Sequence, residues 1–241
     1  MERVIYERIQ ALEQDHWWFA GRRAILAGLI GDLGLPKDAR ILEAGCGAGG
    51  NLRLLGRFGN VRAMEPDEPS RQYVAEHWGV QVDHGLLPDG LPYPPESFDA
   101  VACFDVIEHV DDDVGAVRAL TGLLVPGGWL IATVPAYQWM WSHHDELHHH
   151  KRRYTRREMV RLFEGAGLKV RRASYFNALL FPAAAAVRIL KNITGSKAAD
   201  DAMPAKPVNA ILERLFASEA AWLRRGSLPF GLSIVIIGRK A

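Results

Sequence analysis

The chain has 241 residues, of which 49% are hydrophobic and 24% are charged, and its formal net charge is +1 at pH 7. This balance fits a globular protein of one decorated domain or two small domains, and it lacks the positive charge that nucleic-acid binding requires. Only Cys46 and Cys103 are present, so no disulfide framework is expected, which suits a reducing compartment. Because the N-terminus has no signal-peptide core and no apolar stretch reaches roughly 18 residues, we expect a soluble cytoplasmic protein.

Residues 1–34 are predicted to form an N-terminal helical cap, because apolar residues recur at helical spacing in two runs. Between the runs lie three adjacent aromatic residues, Trp17, Trp18 and Phe19, which cannot share one face of a helix. The segment is therefore either a packing anchor or a lid over a ligand. In the lid, Trp18 or Phe19 would contact the ligand and Arg22 would lie near a carboxylate.

Predicted strands and helices alternate through residues 35–176 and return at 229–241. The strands are expected at about 39–44, 61–65, 80–82, 98–104, 129–134, 168–175 and 232–239, with helices at 70–78 and 113–125. The fifth strand is apolar almost throughout, as strands of parallel sheets tend to be. This alternation indicates right-handed βαβ units and an α/β fold with a doubly wound sheet.

The stretch from Arg40 to Leu52 (RILEAGCGAGGNL) has the pattern of a buried strand that runs into a glycine-rich turn and then into a helix. Glycines remove Cβ atoms where a ligand approaches the backbone, and the helix N-terminus directs unpaired N–H groups toward that ligand. Glu65 lies 20 positions after Gly45, where a carboxylate can accept hydrogen bonds from ribose hydroxyls. The pattern predicts an adenosine-cofactor site, for NAD or for S-adenosylmethionine.

Three features favour S-adenosylmethionine over NAD. Glu43 stands two residues before the first glycine, where its charge would repel a pyrophosphate but suits a cofactor with an ammonium and a sulfonium. The segment from Asp105 to Val110 follows the fourth strand and adds polar groups at the edge of the sheet where ligands bind. The chain then ends in two strands without a second mononucleotide-binding half.

At this point the chain resembles the class I S-adenosylmethionine-dependent methyltransferases. The residues that carry the resemblance are Ile41 to Gly49, Glu65, Leu91-Pro92 with Ser97-Phe98-Asp99, Asp105 to Val110, and Leu124-Val125-Pro126-Gly127-Gly128. The resemblance implies a Rossmann-like sheet of seven strands, mostly parallel with an antiparallel last strand. It also implies a bound S-adenosylmethionine.

The resemblance implies that the glycine turn lies under the methionine part of the cofactor and that Glu65 binds its ribose. Leu86 and Leu87 would lie near the adenine, with Leu86 where many relatives have an Asp, and Asp105 and Val106 near the sulfonium. Asp105 could instead cap a helix, and His109 could simply pack within one. The full set of expected cofactor-binding residues is Trp18, Arg22, Glu43, Ala44, Gly45, Cys46, Gly47, Gly49, Asn51, Glu65, Pro66, Leu86, Leu87, Asp105, Val106 and His109.

Residues 136–154 are expected to form a loop over the same edge of the sheet, and they contain five histidines between 143 and 150. A positioned base speeds methyl transfer to a hydroxyl or an amine. Our hypothesis is that His143 or His144 is the base and that Arg152, Arg153 or Tyr154 shapes the acceptor pocket. A metal held by His144, His148 and Asp145 is an alternative, but we expect no metal site, since methyl transfer does not generally require one.

Residues 177–228 are predicted to be a helical insertion before the last strand. Its first segment, Ala178 to Leu190, is largely apolar, and a polar linker follows around Gly195 to Pro207. A second helix is expected to carry one apolar stripe, made of Val208, Ile211, Leu212, Leu215, Phe216, Trp222 and Leu223. The insertion is interpreted as a lid, a dimer surface, a buried core helix or a patch for peripheral membrane contact.

We therefore predict a methyltransferase that moves a methyl group from S-adenosylmethionine to a small-molecule or lipid-like acceptor by in-line displacement, at oxygen, nitrogen or carbon. Two alternatives remain. One is an NAD(P)-dependent oxidoreductase, which the glycine pattern alone would also fit. The other is a non-catalytic S-adenosylmethionine-binding scaffold. No nucleic-acid partner is expected, and the oligomeric state stays open.

Overall fold

The computed structural model describes residues 3–194 and 202–241, so residues 195–201 of the predicted polar linker lie outside the described residues. Seven strands form one sheet: β1 (Arg40–Ala44), β2 (Asn60–Met64), β3 (Val82–Asp83), β4 (Phe98–Phe104), β5 (Leu124–Pro135), β6 (Leu168–Phe176) and β7 (Ser233–Lys240). Their order is β3-β2-β1-β4-β5-β7-β6. Strands β1 to β5 pair in parallel, and β7 is antiparallel to both β5 and β6. The predicted fold class is confirmed.

Helices cover both faces of this sheet. They are α1 (Arg3–Leu12), α2 (Trp17–Gly31), α3 (Leu52–Leu55), α4 (Glu68–Trp78), α5 (Asp113–Gly122), α6 (His143–Leu147), α7 (Arg156–Gly165), α8 (Phe181–Thr194), α9 (Lys206–Ala217) and α10 (Glu219–Arg225). Successive strand residues point to opposite faces. In β4, Val101 and Cys103 join the hydrophobic cluster that includes α5 and α7, whereas Ala100 and Ala102 join the cluster that includes α2 and α9.

The boundary between α5 and β5 differs from the prediction. The helix was expected to reach residue 125 and the strand to begin at residue 129, but α5 ends at Gly122 and β5 begins at Leu124. Leu124 pairs with Phe98, and the register then shifts before Ala100 pairs with Trp129. The shift leaves the Pro-Gly-Gly segment without partners in that ladder, which is how a proline is accommodated within a strand.

The second helix of the insertion is built differently from the single amphipathic helix that we expected there. The helix is split at Ser218 into α9 and α10, and Phe216 and Leu223 are buried, whereas Val208, Ile211, Leu215 and Trp222 are exposed. The split occurs beside Glu219, whose buried carboxylate accepts hydrogen bonds from the backbone N–H groups of Ala178 (2.7 Å) and Leu179 (2.9 Å). The predicted single stripe is therefore wrong. The division of the chain into cap, core and insertion stays a prediction.

No helix in the described ranges is both long enough and apolar enough to cross a membrane.

The segment after β5 is more ordered than the loop that we predicted. A 3-10 turn spans Gln138–Met140, and α6 begins with a capping box in which Ser142 and Asp145 bond each other's backbone N–H groups. Asp145 is fully buried, and it also accepts hydrogen bonds from His150 Nδ1 (2.8 Å) and Arg153 Nε (2.7 Å). Burial opposes ionisation of Asp145, but the bonds from His150 and Arg153 outweigh it and hold its pKa below the usual range. This carboxylate fixes the segment against the sheet.

Asp145→Asn should lower the free energy of unfolding at pH 7 by about 3–5 kcal/mol, because it leaves the buried Arg153 guanidinium without its counter-charge. Glu146→Gln is the matched control, since Glu146 pairs with His143 at the surface, and it should cost less than about 1 kcal/mol. Urea unfolding measures both.

The pH dependence of this difference has a definite sign. The stability that ionised Asp145 contributes is fully present above its unfolded pKa of about 3.9, and it is lost as the pH falls toward the lower folded pKa. The gap between wild type and Asp145→Asn should therefore narrow below about pH 4. An equal cost for the two variants at pH 7 would contradict this role for Asp145.

Candidate functional site

A cavity of about 710 Å³ lies at the edge of the sheet where β1, β2, β4, β5 and β6 end. The predicted cofactor residues that line it are Trp18, Arg22, Gly45, Cys46, Gly47, Asn51, Glu65, Pro66, Asp105, Val106 and His109, and His144 of the predicted bases also lines it. Residues of α1, α8, α9 and the segment around α6 add to its wall, as do residues at the ends of β4, β5 and β6 and at the start of β7. The structure thus brings most of the predicted site together in one cavity.

The turn after β1 is closed by hydrogen bonds to β2. The N–H groups of Gly45 and Cys46 both donate to Met64 O, at 2.8 and 3.2 Å. Gly45 has φ +76°, and a Cβ on it would lie 2.6 Å from Val106 Cγ2. Gly47 has φ +52°, and within the described residues no heavy atom lies within 4 Å of where its Cβ would be. Gly45 is therefore required for packing, and Gly47 presents bare backbone to the cavity.

Glu65 follows β2 and closes the other side of this turn. Its Oε2 accepts a hydrogen bond from Gly47 N (3.0 Å), and its Oε1 accepts one from Asp67 N (3.0 Å). Burial raises the pKa of Glu65, against the effect of these two bonds. Each carboxylate oxygen has two lone pairs, so both oxygens retain capacity for hydroxyl donors from a ligand.

The argument from charge required the Glu43 carboxylate to face the ligand, and the structure does not place it there. Its side chain is buried beside the turn, outside the wall that the described residues give the cavity, and its Oε1 accepts a hydrogen bond from Asn51 Nδ2 (2.8 Å). Burial raises its pKa to about 8, so the group is mostly protonated at neutral pH. Besides Glu65, the acid that lines the cavity near this turn is Glu13. It lies against Gly50, and burial raises its pKa to about 7.

Four further expected cofactor residues lie outside this wall, as far as the described residues form it. Ala44 is buried in the core, and Gly49 packs against Trp78, where a Cβ would lie 2.8 Å from Cδ1. Leu87 is also buried in the core, whereas Leu86 is exposed and pairs with Gly90. The structure therefore does not bring the two leucines to the cavity, because their short loop folds back on itself.

Arg22 and Asp105 form an ion pair across the cavity wall. The Arg22 guanidinium also lies 4.5 Å from the centre of the Trp18 ring, a cation–π contact. Val106, rather than Asp105, precedes the 3-10 turn Ile107–His109, so Asp105 does not act as its cap. Trp18 lines the cavity, whereas Trp17 also packs against Phe216, so the segment has features of both a lid and a packing anchor, and the choice between them stays a prediction.

The predicted bases are placed very differently from one another. His144 lines the cavity, and burial, followed by the nearby His148, lowers its pKa to about 3. His143 pairs with Glu146 at the surface, at 3.0 Å. Tyr154 is buried in the core, and its hydroxyl donates to Asp113 Oδ2 at 2.8 Å. His143 and Tyr154 are not among the described residues that line the cavity, so neither is positioned to meet an acceptor there.

A second polar group of the cavity consists of Glu108, His109 and His150. One ligand atom from each lies within 4.8 Å of the others, so these residues could hold a cation. Burial, followed by Asp105, raises the pKa of Glu108 well above its usual range, and burial lowers that of His109 to about 3. This cluster differs from the metal set considered from the sequence, which was His144, His148 and Asp145. In the structure, the Asp145 carboxylate instead accepts hydrogen bonds from His150 and Arg153.

Several cavity residues were not expected from the sequence: Glu13, Glu108, His150, Asn177, Leu180 just before α8, and Ala184 and Val187 of α8. Glu108 and His150 lie inside motifs that the sequence marks, so their proximity to the candidate residues is a usable signal. Glu13 and Asn177 belong to no motif, because their roles depend on how α1 and the end of β6 pack.

Comparison with known proteins gives a family and a fold. A family model described as a methyltransferase domain matches residues 18–173. The chain is 38% identical over 114 residues to a ubiquinone biosynthesis O-methyltransferase of Methylocella silvestris, covering 41% of this chain and 44% of the relative. It is 38% identical over 102 residues to the protein of that name from Xanthomonas axonopodis pv. citri, covering 39% of this chain and 42% of that relative. The matches thus span less than half the length of these curated relatives.

Solved structures agree on the fold. A chain of the Haloferax volcanii complex that contains the Trm112 methyltransferase activator has a TM-score of 0.65 and 18% identity, covering 98% of this chain and 94% of that one. An S-adenosylmethionine-dependent methyltransferase from Mesorhizobium loti has a TM-score of 0.58 and 17% identity, covering 88% and 96%. With the family match over residues 18–173, the chain belongs to the class I S-adenosylmethionine-dependent methyltransferases.

Proposed function

We propose that this chain methylates a hydroxyl group of a small, lipid-like acceptor, with S-adenosylmethionine bound at the turn after β1. The observation that carries the proposal is the pairing of Gly47 with Glu65. Bare backbone at Gly47 faces the cavity beside a fixed carboxylate that retains acceptor capacity. This arrangement suits an adenosine ribose, whose two hydroxyls are donors.

The surrounding charges favour S-adenosylmethionine over a dinucleotide. Glu13, Glu43 and Glu65 all lie around the turn, and a pyrophosphate would be repelled by any of them that is ionised. The ammonium and sulfonium of S-adenosylmethionine would instead be attracted. Arg22 Nε, which has no partner among the described residues, is available to the carboxylate of the methionine part.

When bound, S-adenosylmethionine would supply a methyl group on positively charged sulfur: in-line displacement would form the O–CH3 bond as the S–CH3 bond breaks, leaving S-adenosylhomocysteine, and the hydroxyl proton would pass to solvent. The protein's contribution is alignment and exclusion of water. Trp18 and Arg22 close the cavity from α2, and Asp105 holds Arg22 in place. His109 and His144, which burial keeps neutral at pH 7, line the cavity as hydrogen-bond partners for the acceptor.

On the acceptor side of the cavity, the part of the wall that the helices form is apolar. The apolar residues that line it there are Leu180, just before α8, Ala184 and Val187 of α8, Leu212 of α9, and Ile9 and Leu12 of α1. Such a wall fits an apolar body or chain, with polar groups at the sheet edge to orient its reactive end. The curated relatives are named as ubiquinone biosynthesis O-methyltransferases, which supports oxygen as the methylated atom and an apolar acceptor.

The exposed face of α8 supports delivery of that acceptor from a membrane surface. Leu190 and Ile193 are 61% and 78% exposed, and Val208 and Ile211 of α9 are exposed as well. An amphipathic helix with such residues can lie in the interface of a bilayer. We propose that this face makes peripheral membrane contact and opens the cavity toward lipid.

Glu65→Gln should weaken binding of S-adenosylhomocysteine about 10- to 100-fold, since hydrogen bonds to a charged group contribute about 1.5–3 kcal/mol. The matched control is Glu68→Gln, because Glu68 is exposed and pairs with Arg71 on α4. Its affinity should stay within about twofold of wild type. Isothermal titration calorimetry measures both, and equal affinities for the two variants would refute the placement of the ribose.

The double variant Leu190→Asp with Ile193→Asp should lose sedimentation with phosphatidylglycerol vesicles by at least about 10-fold, because two apolar side chains no longer enter the interface. Val114→Asp is the control, since Val114 is exposed on α5. That variant should sediment as wild type does. A wild-type chain that stays in the supernatant would exclude the membrane proposal.

A further inference from the structure

Asn177 is a fully buried side chain in the cavity wall that satisfies none of its hydrogen-bonding capacity. It follows β6 directly and lines the cavity. Neither Oδ1 nor Nδ2 has a hydrogen-bond partner among residues 3–194 and 202–241. An amide offers two donors and two acceptor lone pairs, and burying them without partners is costly. Such a group in a native fold requires an explanation.

The backbone of Asn177 is held in an uncommon conformation. Its φ is +58°, in the left-handed region that asparagine tolerates better than most side chains. Asn177 O accepts a hydrogen bond from Leu232 N (3.4 Å), and the following N–H groups of Ala178 and Leu179 are bonded by Glu219. The backbone at Asn177 is therefore fixed beside the cavity by its neighbours, and uncommon backbone conformations of this kind cluster at ligand-binding sites.

The place of Asn177 in the sheet separates it from the cofactor region. The turn at Gly45 and Glu65 follows β1 and β2. Asn177 follows β6, which is the last strand across the sheet on the far side of β4, β5 and β7. Four strand spacings separate β1 from β6, which amounts to roughly 19 Å. Even β4, which ends beside Asp105, lies three spacings away, or roughly 14 Å. Asn177 therefore lies on the acceptor side of the cavity.

The walls around Asn177 define what it could bind. Pro135, Leu180 and Leu232 give that part of the cavity apolar surface. The buried amide supplies both a donor and an acceptor, and hydroxyl and carbonyl groups are the neutral groups that match it. A site with a buried polar group discriminates strongly against analogues that lack the partner group, because the group is then left unpaired.

We propose that Asn177 is the specificity residue for the acceptor and that its amide hydrogen-bonds a hydroxyl or carbonyl group on the acceptor's polar head. This inference rests on the proposed function, since it assigns Asn177 to the acceptor of that reaction. The bond orients an amphiphilic acceptor with its polar head at the sheet edge and its apolar part along α8.

Two ligands and two variants test this assignment. Dodecylcatechol carries hydroxyls on an apolar chain, and dodecylbenzene lacks them. Binding is followed by tryptophan fluorescence in the presence of S-adenosylhomocysteine, since Trp17 and Trp18 line the cavity. Asn177→Gly removes the amide and suits the positive φ, and Asn177→Asp keeps the shape but removes the donor. Asn60→Asp, at an exposed asparagine of β2, is the control.

Wild type should bind dodecylcatechol at least about 10-fold more tightly than dodecylbenzene. This ratio corresponds to the free energy that one hydrogen bond to a buried group contributes. Asn177→Gly should lower this preference below about threefold, while the affinity for S-adenosylhomocysteine stays unchanged. Asn177→Asp, whose carboxyl oxygens still accept a hydrogen bond from a hydroxyl, should retain part of the preference, and Asn60→Asp should retain all of it. A preference that Asn177→Gly retains in full, or one that wild type lacks, overturns the assignment.

Thermal unfolding separates recognition from a structural role. Asn177→Gly removes a buried unpaired amide and relieves the backbone, so its Tm should not fall below that of wild type. A Tm lowered by several degrees would show that the amide stabilises the fold, and would overturn the assignment. The proposed function fails on a different result, namely wild type that does not bind S-adenosylhomocysteine.

Discussion

A side chain at residue 45 would leave no room for the turn that follows β1. The backbone there has φ +76°, and Val106 of the loop after β4 fills the space where a Cβ would lie. This close contact joins the loops that follow β1 and β4. It lets Gly47 reach the Glu65 carboxylate and places Asp105 beside Arg22. Both the proposed cofactor end of the cavity and the ion pair beside it follow from that packing.

Buried charge is the second organising feature of the site. Burial raises the pKa of Glu13, Glu43 and Glu108, while the ion pair of Arg22 with Asp105 and the bonds of Asp145 with Arg153 supply counter-charges. Perturbed pKa values of this kind occur at functional sites as well as in structural networks. The cavity combines a region rich in acids near β1 with an apolar wall at α8, an arrangement that suits the proposed cationic cofactor at one end and the proposed apolar acceptor at the other.

The sequence predicted the sheet well, because motifs and apolar periodicity mark each strand locally. β4 was placed at 98–104, as observed, whereas β5 was placed five residues late because Pro126 hid its start. Helix α6 was missed although Ser142 and Asp145 form a capping box that the sequence displays. The direction of a side chain is harder to predict. Glu43 stood in the right motif, but it bonds Asn51 beside the turn instead of facing the cavity. Asn177 could not be found, because its burial depends on Glu219, which lies 42 positions further along the chain.

We expect this cavity to bind S-adenosylmethionine rather than a dinucleotide. Isothermal titration of the full chain with S-adenosylhomocysteine and with NAD tests this expectation. S-adenosylhomocysteine should bind at one site per chain, at least about 100-fold more tightly than NAD, a difference of about 2.7 kcal/mol. NAD binding of equal or greater strength would contradict it.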